Sequence, residues 1–148
     1  VAKKINKKTK AIIVPHMLGE CARVDELEKF GIPVINDSAQ ALGSIYKKKP
    51  IASYGELSVL SFYATKLITT GQGGMVLSDN KKYYEFIRDI IDYNGRDNYK
   101  MRFNYPMTDI AASIGNAQMK KLNMFCGMVH WVLMKKGISL QLCKWQKS

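Results

Sequence analysis

Acidic side chains are scarce in this chain. Twelve aspartates and glutamates stand against 23 lysines and arginines, a formal net charge of +11 over 148 residues. Such an excess suits nucleic acid or an anionic small ligand. The lysines are scattered in short groups, Lys3-Lys4, Lys47-Lys48-Lys49, Lys81-Lys82 and Lys120-Lys121, in the manner of turns and helix surfaces. No basic zipper region or ribonucleoprotein motif accompanies them. A nucleic-acid partner is therefore not expected, and a phosphate-bearing small ligand accounts for the charge equally well. Cysteine is rarer still. Cys21, Cys126 and Cys143 are widely spaced and form no CxxC pair, which argues against a disulfide framework and against a zinc site. No metal is expected. There is no run of about 18 apolar residues, so no membrane span is expected. The basic start "VAKKINKKTK" is followed by no apolar signal region, and the expected compartment is the cytosol.

What is present is a core. Hydrophobic residues make up 47% of the chain, and its length is typical of one domain. "KAIIVPHML" reads as a buried strand over Ala11–Val14, stopped by Pro15. "VDELEKFG" reads as a short helix with Gly31 as its stop, and "IPVINDSA" as a second strand ending in Asp37. "YKKKPIASYG" resembles a hairpin or exposed turn, while "ELSVLSFYA" and "GGMVLSD" read as third and fourth strands. Asp79 or Asn80 can cap the helix that follows, whose Tyr83, Phe86, Ile87, Ile90 and Ile91 fall at helical spacing. "NGRDNYKMRFNYP" is a loop, and Thr108 or Asp109 caps a further helix. Strands alternate with helices, and several are apolar throughout. An α/β layered fold with a sheet covered on both faces is expected. From Asn123 on the periodicity weakens. That tail reads either as a helix whose apolar face seeks a partner or as sequence foreign to the rest.

One lysine departs from the charged clusters. In "SFYATKLITTGQGG" (Ser61 to Gly74) Lys66 sits between Phe62-Tyr63 and a loop of small residues. In open α/β sheets chemistry collects at the carboxyl ends of strands. Asp37 ends one expected strand, Ser61 lies near the end of another, and Lys66 follows it. If those strands are parallel and close, the three share a crevice. A lysine among apolar groups is pushed towards its neutral amine, which can form an imine with an aldehyde. A carboxylate could pair with a protonated pyridine nitrogen, and a serine with glycine amides suits a phosphate. Imine, pyridinium and phosphate together describe pyridoxal phosphate. The bland alternatives are a lysine that snorkels from a strand end and an aspartate that caps a turn.

"VINDSAQALGS", "LSFYATKLITTGQGGMVLSD" and "NYPMTDIAASIGNAQMKKL" resemble, in order and interval, the DegT/DnrJ/StrS sugar aminotransferases. The resemblance spans about Lys10 to Leu122. It implies a three-layer α/β/α fold, the fold type I large domain of pyridoxal-phosphate transferases, present here incompletely. It implies that residues 1–122 belong to that domain and leaves 123–148 as an unassigned tail. By the same resemblance Lys66 carries the cofactor and shuttles the proton. Asp37 pairs with the pyridine nitrogen, Gln40 contacts the ring near its phenolic oxygen, and Ser61 binds the phosphate. Asn104 reaches the phosphate of a neighbouring subunit, which implies a homodimer with shared sites. A dehydratase branch carries histidine where this chain has Lys66, so amino transfer is favoured. The implied substrates are nucleotide-linked keto-sugars, with glutamate or glutamine as amino donor.

Other positions are read more plainly. His16 is a packed or site histidine at a strand end. Gly71, Gly73 and Gly74 serve tight turns, and Tyr63 reads as a core ring, with packing near the cofactor as the alternative. Arg96 and Arg102 read by default as solvated loop cations, with contact to an anionic substrate as the alternative. Pro106 stands where the family often has a basic residue. Against the family this chain is short at both ends, lacking the expected phosphate-cup turn, the ring-stacking aromatic and a small C-terminal domain. Weak cofactor binding, doubtful activity and self-association through exposed apolar edges are the expectations. The alternative reading is a non-catalytic regulatory or binding module derived from this family.

Overall fold

The computed structural model of the chain describes residues 1–95 and 97–135. Its elements run β1 (Ile12–Pro15), α1 (Val24–Glu28), β2 (Val34–Asp37), β3 (Ile45–Tyr46), β4 (Lys49–Pro50), β5 (Leu57–Ser61), β6 (Gly74–Leu77), α2 (Lys81–Ile90), α3 (Asp109–Met119) and α4 (Leu122–Lys135). Four strands form one sheet in the order β1-β2-β5-β6. The first three are parallel, and β6 returns antiparallel to β5. Pro15 closes β1 from inside rather than stopping it short, pairing with Asp37. The N–H groups of Ile12 and His16 donate to Pro33 and Asp37 carbonyls, so alternation turns the nitrogen of Pro15 to the open edge, where its missing hydrogen removes no ladder bond.

Register assigns the faces. Val14, Val34, Asn36, Ser58 and Leu60 point to one side and are all buried. Val24 of α1, Ala41 and Ile51 pack with Val14 and Val34 in one cluster. Leu60, Phe62 and Ile68 form a second, against which Met107, Leu122 and Phe125 pack. Each fully buried aliphatic chain contributes about 1.5–3 kcal/mol of transfer free energy. The opposite face differs from the expectation. Ile13 is 69% exposed, Val59 38% and Val76 44%. Among the described residues the sheet is packed on one side only, although the strands are apolar on both.

Local chemistry explains the connections. Asp25 and Glu26 lie in the first turn of α1, where the helix dipole favours negative charge. Gly31 then reverses the chain at φ +65. The β3–β4 hairpin turns on Lys47 (φ 45) and Lys48 (φ 69), two lysines in a conformation that usually takes asparagine or glycine. Asp25 steadies that turn. It accepts from the Tyr46 hydroxyl at 2.7 Å and from Lys47 Nζ at 2.6 Å, and these bonds hold its carboxyl below the usual range. Asn80 and Thr108 cap α2 and α3, accepting from the N–H groups of Lys82 and Ala111. The tail expected to lose periodicity is helical through Lys135, while residues 136–148 and Arg96 lie outside the described residues.

Candidate active site

β2 and β5 are adjacent and parallel, so their carboxyl ends stand side by side. Asp37 pairs with Val59 across them, and Ser61 lies two residues further along β5. Alternation puts Asp37, Val59 and Ser61 on the same, open face. One Asp37 carboxylate oxygen accepts the Ala39 N–H at 3.1 Å. The other makes no hydrogen bond among the described residues and is available to a ligand. Gln40 follows in the same turn, its Oε1 accepting the Leu18 N–H at 3.0 Å.

Lys66 sits in the loop between β5 and β6. Its N–H closes a tight turn onto the Tyr63 carbonyl at 2.9 Å, and its side chain is half-buried. The loop is clamped at its base, where Phe62 N–H donates to Gly73 and Thr70 N–H to the Phe62 carbonyl, both at 2.9 Å. A Cβ on Gly73 would lie 2.4 Å from Thr70 Oγ1, so glycine there serves close approach, whereas Gly71 serves its φ of +80. A contact that sequence reading missed fixes the outer side of the loop. Thr69 N–H donates to Gln118 Oε1 of α3 at 2.9 Å. Gln118 lies in the motif "NYPMTDIAASIGNAQMKKL", in which no role was read for it.

Beneath the carboxyl ends lies a buried polar layer. His16 is 1% exposed, accepting the Ala22 N–H at Nδ1 (3.2 Å) and facing Asn36 Oδ1 from Nε2 (3.1 Å). Nδ1 accepts, so Nε2 carries the proton and the ring is neutral. Burial lowers its pKa more than the Asn36 bond and the Asp37 charge raise it. His16 is thus a packed histidine. The neighbouring Ser38 and Ser58 hydroxyls are buried without a hydrogen-bond partner among the described residues.

Two other expectations are corrected. Tyr63 is not a core ring, being 47% exposed. Arg102 is not solvated, because its side chain is 3% exposed and its guanidinium grips Asp89 at 2.8 Å, the Asp89 carbonyl at 3.0 Å and Asn98 at 2.8 Å. That grip pulls the Asp89 carboxyl below its ordinary range and ties the loop before α3 to the end of α2. Asn104 lies on this segment, between the Phe103 N–H bonded to Ile90 O and the Tyr105 N–H bonded to Ile91 O. The rings of Phe103 and Tyr105 stack at 5.2 Å on one side of the strand-like run, and alternation turns exposed Asn104 to the other. No hydrogen bond links Asn104 to Asp37, Gln40, Ser61 or Lys66 among the described residues. A groove of about 1030 Å³ runs instead between β5–β6 and the helices α2 and α3, lined by apolar groups such as Met75, Ile87 and Ile114. Asp37, Gln40, Ser61 and Lys66 do not line it.

The fold, with parallel strands whose carboxyl ends carry Asp37, Ser61 and the loop of Lys66, is shared with solved sugar aminotransferases. The chain superposes on the Helicobacter pylori aminotransferase PseC, involved in the biosynthesis of pseudoaminic acid, with TM-score 0.77 and 29% identity over 84% of this chain and 36% of that one. It matches Streptomyces venezuelae DesV in complex with a ketimine intermediate at TM-score 0.77 and 26% identity, with the same coverage. The chain belongs to the DegT/DnrJ/EryC1/StrS aminotransferase family, whose profile matches residues 1–128. It is 42% identical over 137 residues to an uncharacterized protein of Methanocaldococcus jannaschii, covering 79% of this chain and 35% of that protein. It is 34% identical over 144 residues to GDP-perosamine synthase of Escherichia coli O157:H7, covering 84% of this chain and 37% of that enzyme. The chain thus spans about a third of the length of the curated relatives it matches. The family implies pyridoxal phosphate, and the donor set fits it. An accessible carboxylate and a hydroxyl stand at the ends of two neighbouring strands, and a primary amine lies in the loop that follows the second. Among the described residues no helix is long and apolar enough to cross a membrane.

Proposed function

We propose that this chain carries the cofactor-holding half of a nucleotide-sugar aminotransferase site. The observation that supports it most is the placement of Asp37 and the Lys66 loop at the carboxyl ends of adjacent parallel strands. Asp37 would hold the ring nitrogen, Gln40 the phenolic oxygen, Ser61 the phosphate, and Lys66 the aldehyde carbon through Nζ. Bound there, pyridoxal phosphate supplies an electron sink for carbanion density. The residues do the rest. The Asp37 carboxylate would face the ring nitrogen and favour its protonated form. Lys66 Nζ takes the substrate proton and returns it. The small-residue loop lets backbone approach the ligand closely. Asn104, exposed and without a hydrogen bond to these four among the described residues, would reach the phosphate of a second copy, and a homodimer follows from that reading. The substrates are keto-sugars linked to a nucleotide, with glutamate or glutamine as the amino donor.

The test is a titration of the chain with pyridoxal phosphate, followed by borohydride reduction and peptide mass analysis. The expected result is a pyridoxyl adduct on Lys66 and none in Lys66→Ala. Adducts spread evenly over surface lysines would sink the proposal and leave a binding module as the better reading.

A further inference from the structure

We infer that Leu18 is a positioning residue: its strained backbone N–H holds the Gln40 carbonyl and leaves the carboxamide NH2 as the end offered to an oxyanion or phenolate oxygen of the ligand. This rests on the site reading above. Leu18 stands at φ 53 and ψ 24, and Gly19 at φ 83. The Glu20 N–H donates to the Met17 carbonyl at 2.9 Å, so Met17–Glu20 is a tight turn with both central residues left-handed. Such positions take glycine, asparagine or aspartate, because a larger side chain crowds the following carbonyl. Burial of the side chain does not compensate, since Leu18 is 65% exposed.

The surrounding structure over-determines the turn. Gly19 is buried, and its carbonyl accepts the Ser44 hydroxyl at 2.9 Å. The His16 N–H is locked to the Asp37 carbonyl at 3.0 Å, and the His16 ring to the Ala22 N–H. Strain retained in this way clusters where it serves a site. What it achieves here is visible at one atom, the Leu18 N–H on Gln40 Oε1 at 3.0 Å. A carboxamide has an accepting end and a donating end, and a backbone N–H selects the accepting one. Gln40 is exposed, and without that bond it could present either end. With it, three residues beyond Asp37, the outward group is a two-hydrogen donor. It discriminates for a ligand oxygen that bears charge and against a ligand donor.

The experiment uses the full chain and two substitutions at exposed Gln40, which leave the core intact. Leu18 amide hydrogen exchange is measured in wild type, Gln40→Ala and Gln40→Glu. Exchange is expected to speed up about tenfold in Gln40→Ala, the loss of one hydrogen bond, and to stay slow in Gln40→Glu, whose carboxylate still accepts. An unchanged rate in Gln40→Ala overturns the inference. Pyridoxal phosphate affinity is then read by absorbance titration. Gln40→Glu, folded and still protected at Leu18, is expected to bind about tenfold more weakly, because an oxygen replaces the donor. Equal affinity overturns the donor assignment. If the wild-type chain takes up no pyridoxal phosphate at all, the proposed function fails, while the exchange rates still decide whether Leu18 orients Gln40.

Discussion

The His16 ring accepts at Nδ1 and donates at Nε2, so a second proton would meet the Ala22 N–H head-on. Its pKa lies below the ordinary value because burial dominates. The unfolded chain takes up this proton near pH 6.5, the native chain only at lower pH. The contribution to stability is therefore complete above about pH 6.5 and is lost as pH falls from there through the native pKa. Urea midpoints at pH 7.5 and 5.5 are expected to show this loss, and His16→Gln should flatten it. Asn36→Ala removes the acceptor for a buried ring N–H and is expected to destabilise by about 1–3 kcal/mol in the same assay. At Asp37 the consequence is for the ligand. Asp37→Asn keeps the Ala39 bond, yet cannot hold a ring proton by charge, and pyridoxal phosphate affinity should drop about tenfold or more in an absorbance titration.

Elements carry a different kind of prediction. The lysine loop closes because Gly73 lets its neighbours approach. Gly73→Ala puts a methyl against Thr70 Oγ1 and Met107 Cε, at 2.4 and 3.0 Å. The strain is expected to lower stability by about 1–3 kcal/mol and to raise proteolysis between Phe62 and Gly73. Thr108→Ala removes the α3 cap and should cost about 1 kcal/mol in a thermal or urea melt. Periodicity and caps made α2 and α3 legible, since Asn80 and Thr108 are residues that favour caps. The β3–β4 hairpin was legible as a hairpin or exposed turn, but its left-handed tip was not, because the two lysines there carry no signal for that backbone. Arg102 was misread for a related reason. Its partner Asp89 lies 13 residues away, and nothing local marks a loop arginine as buried.

At the scale of the whole molecule the open face matters most. Val59 and Val76 pair across β5 and β6 on that face, and β6 is a sheet edge with every residue exposed. Such an edge invites pairing, while a net charge of +11 opposes it. Self-association should therefore rise with salt as repulsion is screened. Light scattering at low and high salt checks this, and Val76→Lys is expected to suppress the salt-dependent rise. Loss of association with added salt would contradict it.

The residue types alone determined a good deal. The order of strands and helices, the aspartate at a strand end and the lysine before a glycine-rich loop were legible in short-range spacing, and the resemblance of three ordered motifs carried the family. The neutral state of His16, the burial of Arg102, the role of Gln118 and the strained N–H that holds Gln40 required the tertiary structure. Each depends on which groups lose water together, and that is set by contacts between segments distant in the chain.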